Sequence, residues 1–115
     1  MPTDDRSIFS LQAARELLPQ VKHLTAEAVR ATEAIMSRLR SIPGTHPEHE
    51  ALSAELRGVV QEWADKLDAL GAEAKGLWLV DFDNGEGYYC WSYPEETLGH
   101  YHGYDDGFAG RMKIQ

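Results

Sequence analysis

The chain has 115 residues, 43% of them hydrophobic and 26% charged, the size and balance of one soluble globular domain spanning residues 1–115. Its formal net charge of -8, with 11 basic residues scattered among 19 acidic ones, argues against nucleic-acid binding, which needs clustered cations to neutralise phosphate. The single cysteine, Cys90, excludes an internal disulfide and any multi-cysteine zinc site. No apolar run is long enough to span a bilayer. The opening MPTDDRSIF lacks the basic and apolar regions of a signal peptide, so a cytoplasmic protein without membrane association is expected.

Ser10 is a candidate N-cap for a short opening helix, LQAARELL. Pro19 lacks an amide hydrogen, so it either kinks this helix or occupies the first turn of the next. From there Val21, Leu24, Ala28, Ala31, Ile35, Leu39 and Ile42 recur at helical spacing and form one apolar stripe. SIPGTHPE interrupts it. Thr45 with Glu48 fits a capping box, and Pro47 is tolerated in a first turn. A second stripe follows in Leu52, Leu56, Val59, Trp63, Leu67 and Leu70, and Gly71 is a natural stop. Two helices of this length, joined by so short a loop, are antiparallel neighbours over residues 10–71. Flanking apolar positions at Val29, Met36, Val60 and Ala64 remain for a second subunit, and a homodimer is expected.

Composition changes beyond this point. Nine of the 11 aromatic residues lie in residues 76–115, which read as strands and turns. LWLVDFD alternates, with Trp78, Val80 and Phe82 on one face and Asp81 and Asp83 on the other. Asn84-Gly85 predicts a two-residue hairpin turn that sets Val80 against Tyr89 and Trp78 against Trp91. It also sets Asp83 against Glu86, an unfavourable pair that argues for a looser turn. Pro94 ends the returning strand, and TLGHYHGY supplies a third, edge-like strand. The predicted architecture is therefore α+β: a long helical hairpin with a short N-terminal helix, then an antiparallel sheet of two to three strands.

FSLQAARELLPQV, ALGAEAKG, LVDF, CW and above all HGYDDGFAGR resemble segments of a small bacterial family, domain of unknown function family 2203. The likeness covers nearly the whole chain. His102 and the GFAGR run ending at Arg111 carry most of it. Two departures stand out: Tyr101 occupies a position where the family tends to have Trp, and Pro94-Glu95 replaces a Gly-Glu pair. An ungapped count puts the family's glutamate at Glu95, with Glu96 the other choice. The resemblance implies a shared fold and a shared C-terminal feature but no reaction.

On a strand, His100 and His102 project to the same face, flanked by Leu98 and Tyr104. Two imidazoles with Asp105 or Glu95 as a third ligand suit a divalent transition metal. The alternative is a pair of solvent-facing or hydrogen-bonded edge histidines. The family likeness falls on His102, which favours that residue acting without His100. Arg111 can hold a carboxylate or phosphate through its planar guanidinium, or form an internal salt bridge to Asp105, Asp106 or a helix acid. Cys90, between Tyr89 and Trp91 on a strand, reads as a packed thiol rather than a nucleophile. DFDNGEG starts like a calcium loop, but Ser92 stands where the closing glutamate belongs.

These features predict a homo-oligomeric, non-catalytic binding protein. His102, Asp105, Arg111 and Tyr104 would form a surface for a small anionic ligand or a protein partner. The alternative is a small metal-dependent enzyme or metal-binding protein using His100, His102 and a carboxylate, Asp105 or Glu95. No catalytic residue is assigned.

Overall fold

A computed structural model describes residues 7–115. Helix α1 runs unbroken from Leu11 to Arg40, opened by the Ser10 hydroxyl accepting the Ala13 amide at 3.0 Å. The expected separate N-terminal helix is therefore absent: Pro19 lies inside a single helix. The missing Pro19 N–H leaves the Arg15 carbonyl without its helical donor, a cost normally sufficient to bend or end a helix. It is offset because the buried positions stay in phase through the proline. Ala14, Leu18, Val21, Thr25, Ala28, Thr32 and Ile35 follow at alternating intervals of four and three. Two threonines thus occupy positions that apolar periodicity alone assigned to Leu24 and Ala31; Leu24 is half-buried and Ala31 exposed. Each threonine has its hydroxyl engaged. Thr25 Oγ1 accepts the Trp63 indole N–H at 2.9 Å, and Thr32 Oγ1 donates to the Val29 carbonyl at 2.9 Å.

Helix α2 spans His49–Ala69. The expected Thr45–Glu48 capping box does not form. The Glu48 carboxylate is taken by Arg38 of α1 at 2.7 Å, and the Glu48 amide donates to His46 Nδ1 at 3.0 Å. Gly71, at φ +87°, closes the helix as its sequence position predicts. Ala72 N bonds to Leu67 O, and Gly71 N to Asp68 O, the paired bonds of a left-handed helix stop.

Five strands follow in meander order: β1 Glu73–Gly76, β2 Leu79–Asp83, β3 Gly87–Ser92, β4 His100–Gly103 and β5 Met112–Lys113. The sheet is larger than the two to three strands expected, and β4 is internal rather than an edge. β1 went unforeseen because Glu, Ala and Lys are poor strand formers, and β5 because two residues carry no periodicity. The β2–β3 register also differs from expectation: Val80 opposes Trp91 and Phe82 opposes Tyr89. The turn has moved one residue along, onto Gly85-Glu86. Asn84 N bonds to Gly87 O, while Asn84 Oδ1 accepts the amides of Glu86 and Gly87. Asp83 consequently opposes Tyr88, and the like-charge pair with Glu86 is avoided. Trp78 leaves the strand altogether. It sits in the β1–β2 turn at φ +65°, with its ring 4.9 Å from that of Trp63.

One face of the sheet presents Val80, Phe82 and Trp91, all fully buried, to Ala14, Leu18 and Val21 of α1 and Trp63 and Leu67 of α2. The β3–β4 connection is tied to α1 by Arg15, which donates twice to the Leu98 carbonyl, and by Lys22, which donates to the Glu96 carbonyl. The other face carries Asp81, Asp83, Cys90 and His102, also buried. Among the described residues no α-helix lies over it; the chain after β4, with Tyr104, Gly107 and Phe108, folds back across it instead. Among the described residues, no helix is long and apolar enough to cross a membrane.

The Thr25–Trp63 bond joins the two helices inside the core and yields a direct test. Thr25→Val keeps the shape but leaves a buried indole N–H unsatisfied, which should cost about 1–3 kcal/mol. Urea unfolding should show a lower midpoint at unchanged slope. An unchanged midpoint would mean that the bond contributes nothing.

Candidate functional site

Strand alternation aims Asp81 of β2, Cys90 of β3 and His100 and His102 of β4 at the same face of the sheet. His102 is 4% exposed, and both of its ring nitrogens are engaged. Nδ1 lies 2.8 Å from the Gly103 carbonyl and Nε2 lies 2.9 Å from Asp81 Oδ2. A carbonyl can only accept, so Nδ1 carries a hydrogen and Nε2 is the nitrogen turned to the carboxyl group. One proton is then shared between Nε2 and Asp81. Burial pushes the Asp81 carboxyl above its ordinary value, against the opposing pull of His102 and Cys90.

Cys90 adjoins this pair. The nearest ligand atoms of Asp81, Cys90 and His102 lie within 4.8 Å of one another. Burial, then the neighbouring Asp81 charge, pushes the thiol up to about 12, with Arg111 opposing. His102 has no nitrogen left to deprotonate it. As arranged, Cys90 is a protonated, enclosed thiol and not a nucleophile.

A second group lies on the other side of Cys90. Arg111 forms a bidentate pair with Glu95, Nη1 to Oε1 at 3.0 Å and Nη2 to Oε2 at 2.6 Å, and stacks over the Phe108 ring at 4.3 Å. Glu95 Oε1 also accepts the Ser92 amide at 2.8 Å. Burial pushes the Glu95 carboxyl up, but the Arg111 and Ser92 hydrogen bonds and the Arg111 charge outweigh it, and the net shift is downward. His100 turns Nδ1 toward Glu95 Oε2 at 3.8 Å, too far for a hydrogen bond, and that nitrogen has no hydrogen-bond partner among the described residues. The side chains therefore run in one contiguous series: His102, Asp81, Cys90, Arg111, Glu95, with His100 beside the last.

Of the residues singled out from sequence, His100, His102, Glu95 and Arg111 reach this face, and Tyr104 donates to Asp83 Oδ1 at 2.7 Å beside it. Glu96 instead turns to Lys22 of α1. Asp105 stands exposed in the turn, and the carboxylate at His102 is Asp81. The internal partner of Arg111 is Glu95 rather than Asp105, Asp106 or a helix acid; Asp106 accepts the Gly103 amide at 3.0 Å. Asp81 and Cys90 were missed as site residues. The signal lay in the alternation: Asp81 points away from Val80 and Phe82, and Cys90 away from Tyr89 and Trp91.

A cavity of about 200 Å³ opens over the Asp81–His102 pair. Tyr88, Tyr104 and Phe108 wall it, with Cys90 and Leu79 beneath and Lys75 at the side. The fold and site together define a small α+β protein with a helix-packed sheet whose opposite face holds a buried polar series. The chain belongs to the family described as an uncharacterized conserved protein (DUF2203), which it matches over residues 7–114. Neither a curated protein nor a solved structure matches it.

The burial of Cys90, 1% exposed, predicts its reactivity. A thiol reagent should label native protein slowly and denatured protein at the rate of a free cysteine. Equal rates in the two states would show that the thiol is open to solvent.

Proposed function

We propose that this is a non-catalytic binding protein of the bacterial cytoplasm, and that its ligand enters the cavity over Asp81 and His102. The observation that carries this reading is a buried, hydrogen-bonded acid–imidazole pair at the floor of an aromatic-walled cavity. Buried ionisable pairs weaken a fold relative to apolar packing, and their grouping in a cleft is a mark of binding sites. The cavity's volume of about 200 Å³ is below the ~300 Å³ at which drug-sized pockets begin, so the ligand is small. The anion-holding role expected of Arg111 has little support here, since Glu95 already occupies its guanidinium. Ligand-observed NMR with small carboxylic acids, phenols and imidazoles should find binders that Leu79→Phe, which narrows the cavity, excludes. Binders indifferent to that change, or none at all, would defeat the reading.

We further infer a homodimer formed on the helices. The radius of gyration is 16.4 Å, against about 13 Å for a compact chain of this length, because the hairpin projects beyond the sheet. Val29, Met36, Leu56 and Val60 of the hairpin line an apolar groove together with Leu77 and Trp78 of the β1–β2 turn. Met36 is 44% and Leu77 62% exposed beside it. An apolar groove along two antiparallel helices is suited to a second copy related by a two-fold axis. Light scattering at micromolar concentration should give twice the 12.9 kDa chain mass, and Met36→Glu with Leu77→Glu should halve it. A wild-type mass of one chain would remove the dimer.

A further inference from the structure

We propose that Asp81, Cys90 and His102 form a three-ligand site for a divalent transition metal of the zinc or cobalt type, its fourth position open to the cavity. This rests on the cavity being the binding site, and it narrows the occupant to a metal ion carrying water or one small ligand.

The donor set comes first. One imidazole nitrogen, one sulfur and one carboxylate oxygen match the ligands that zinc and its analogue cobalt accept together, whereas magnesium and calcium prefer oxygen alone. Spacing comes next. The three ligand atoms stand within 4.8 Å of one another. Around a tetrahedral ion with bonds of about 2.0–2.3 Å they would stand about 3.5 Å apart. His102 Nε2 and Asp81 Oδ2, 2.9 Å apart, must therefore part by about 0.5 Å, while the sulfur, within 4.8 Å of both, closes in by about 1 Å at most, shifts within reach of side-chain rotation.

The surroundings favour the same ion. Metal-bound histidines usually donate their second ring N–H to a carbonyl or carboxylate. His102 already does so: Nδ1 points at the Gly103 carbonyl, leaving Nε2 as the ligand nitrogen. Arg111 adjoins Cys90 and, held by Glu95, supplies positive charge beside a thiolate. The charges also balance. Before binding, a neutral thiol and one proton shared by Asp81 and His102 sum to zero. The ion displaces both protons to solvent and sits between a thiolate, a carboxylate and a neutral imidazole, again summing to zero. A buried site that stays neutral avoids the large cost of an isolated interior charge. Only His102 of the two histidines takes part, since His100 faces Glu95.

The test is titration of chelator-treated protein with Co²⁺. One ion per chain should bind, with tetrahedral visible absorption and a near-ultraviolet sulfur-to-cobalt charge-transfer band. Cys90 is the only cysteine, so that band can arise from no other residue of the chain. Cys90→Ser should abolish the band, and His102→Gln should weaken binding by more than about 100-fold, beyond the loss expected for an outer partner. Should either variant fail to fold by circular dichroism, the wild-type band decides alone. No cobalt uptake, uptake without the charge-transfer band, or binding unchanged in folded Cys90→Ser would each overturn the proposal. Fragments that enter the cavity of a protein taking no cobalt would leave the binding reading in place and remove the metal.

Discussion

The pairing of β2 with β3 is the constraint on which the rest depends. Its register, with Val80 opposite Trp91 and Asp81 opposite Cys90, is set by the Gly85-Glu86 turn. A slip of one residue in either strand would exchange its two faces. Val80 and Phe82 would turn from the helices, and two carboxylates would enter the apolar layer. The helix seam alone could not compensate. Trp63 and Leu67 are the only fully buried residues of α2 among those described, so the hairpin depends on the sheet for its core. One turn therefore decides both the apolar layer that holds the molecule together and the polar layer that distinguishes it.

That polar layer is costly in principle. Asp81, Asp83 and His102 have left water, and each requires a partner for every polar atom that did so. The structure provides them locally. Asp83 Oδ1 receives the Gly85 amide and the Tyr104 hydroxyl, His102 has a partner at each nitrogen, and Asp81 meets His102. Tyr104, Gly107 and Phe108 of the chain after β4 border the cavity over this layer. This segment has no helix of its own beyond one short turn at Phe108–Gly110. Its role is to close the open face of the sheet, and β5 pins its far end beside β4. Glycine at position 107, with φ +68°, permits the reversal between these duties.

Strong periodicity could be read from the sequence, and weak or opposed signals could not. The two helix stripes, the Ser10 cap, the Gly71 stop and the β4 strand all rest on patterns several residues long. β1 and β5 are too short for such patterns. Pro19 misled because its local rule is strong, yet seven buried positions in phase outweigh one missing hydrogen bond. Thr25 and Thr32 misled because their burial depends on hydroxyl partners that only the fold supplies. In the hairpin, Asn84-Gly85 has the composition of a turn, but Asn84 serves as the residue that clamps the turn rather than as part of it.

The site was half visible for a related reason. His102 and Arg111 declare themselves by residue type within one short segment, whereas Asp81 and Cys90 join them only through strand pairing across the sheet. Once paired, the two ends of the series have different characters. At the Arg111 end the charges are matched: a bidentate pair holds the guanidinium against Phe108, and the Ser92 amide fixes the carboxylate. Such an arrangement is rigid and has its strongest donors occupied, which suits support rather than ligand capture. At the His102 end, one shared proton and one thiol proton lie beneath a cavity, and these are the groups a cation can replace. Cys90 joins the two ends. The fixed cation on one side and the shared proton on the other give the series a direction, from the matched ion pair at Glu95 to the cavity floor at Asp81 and His102.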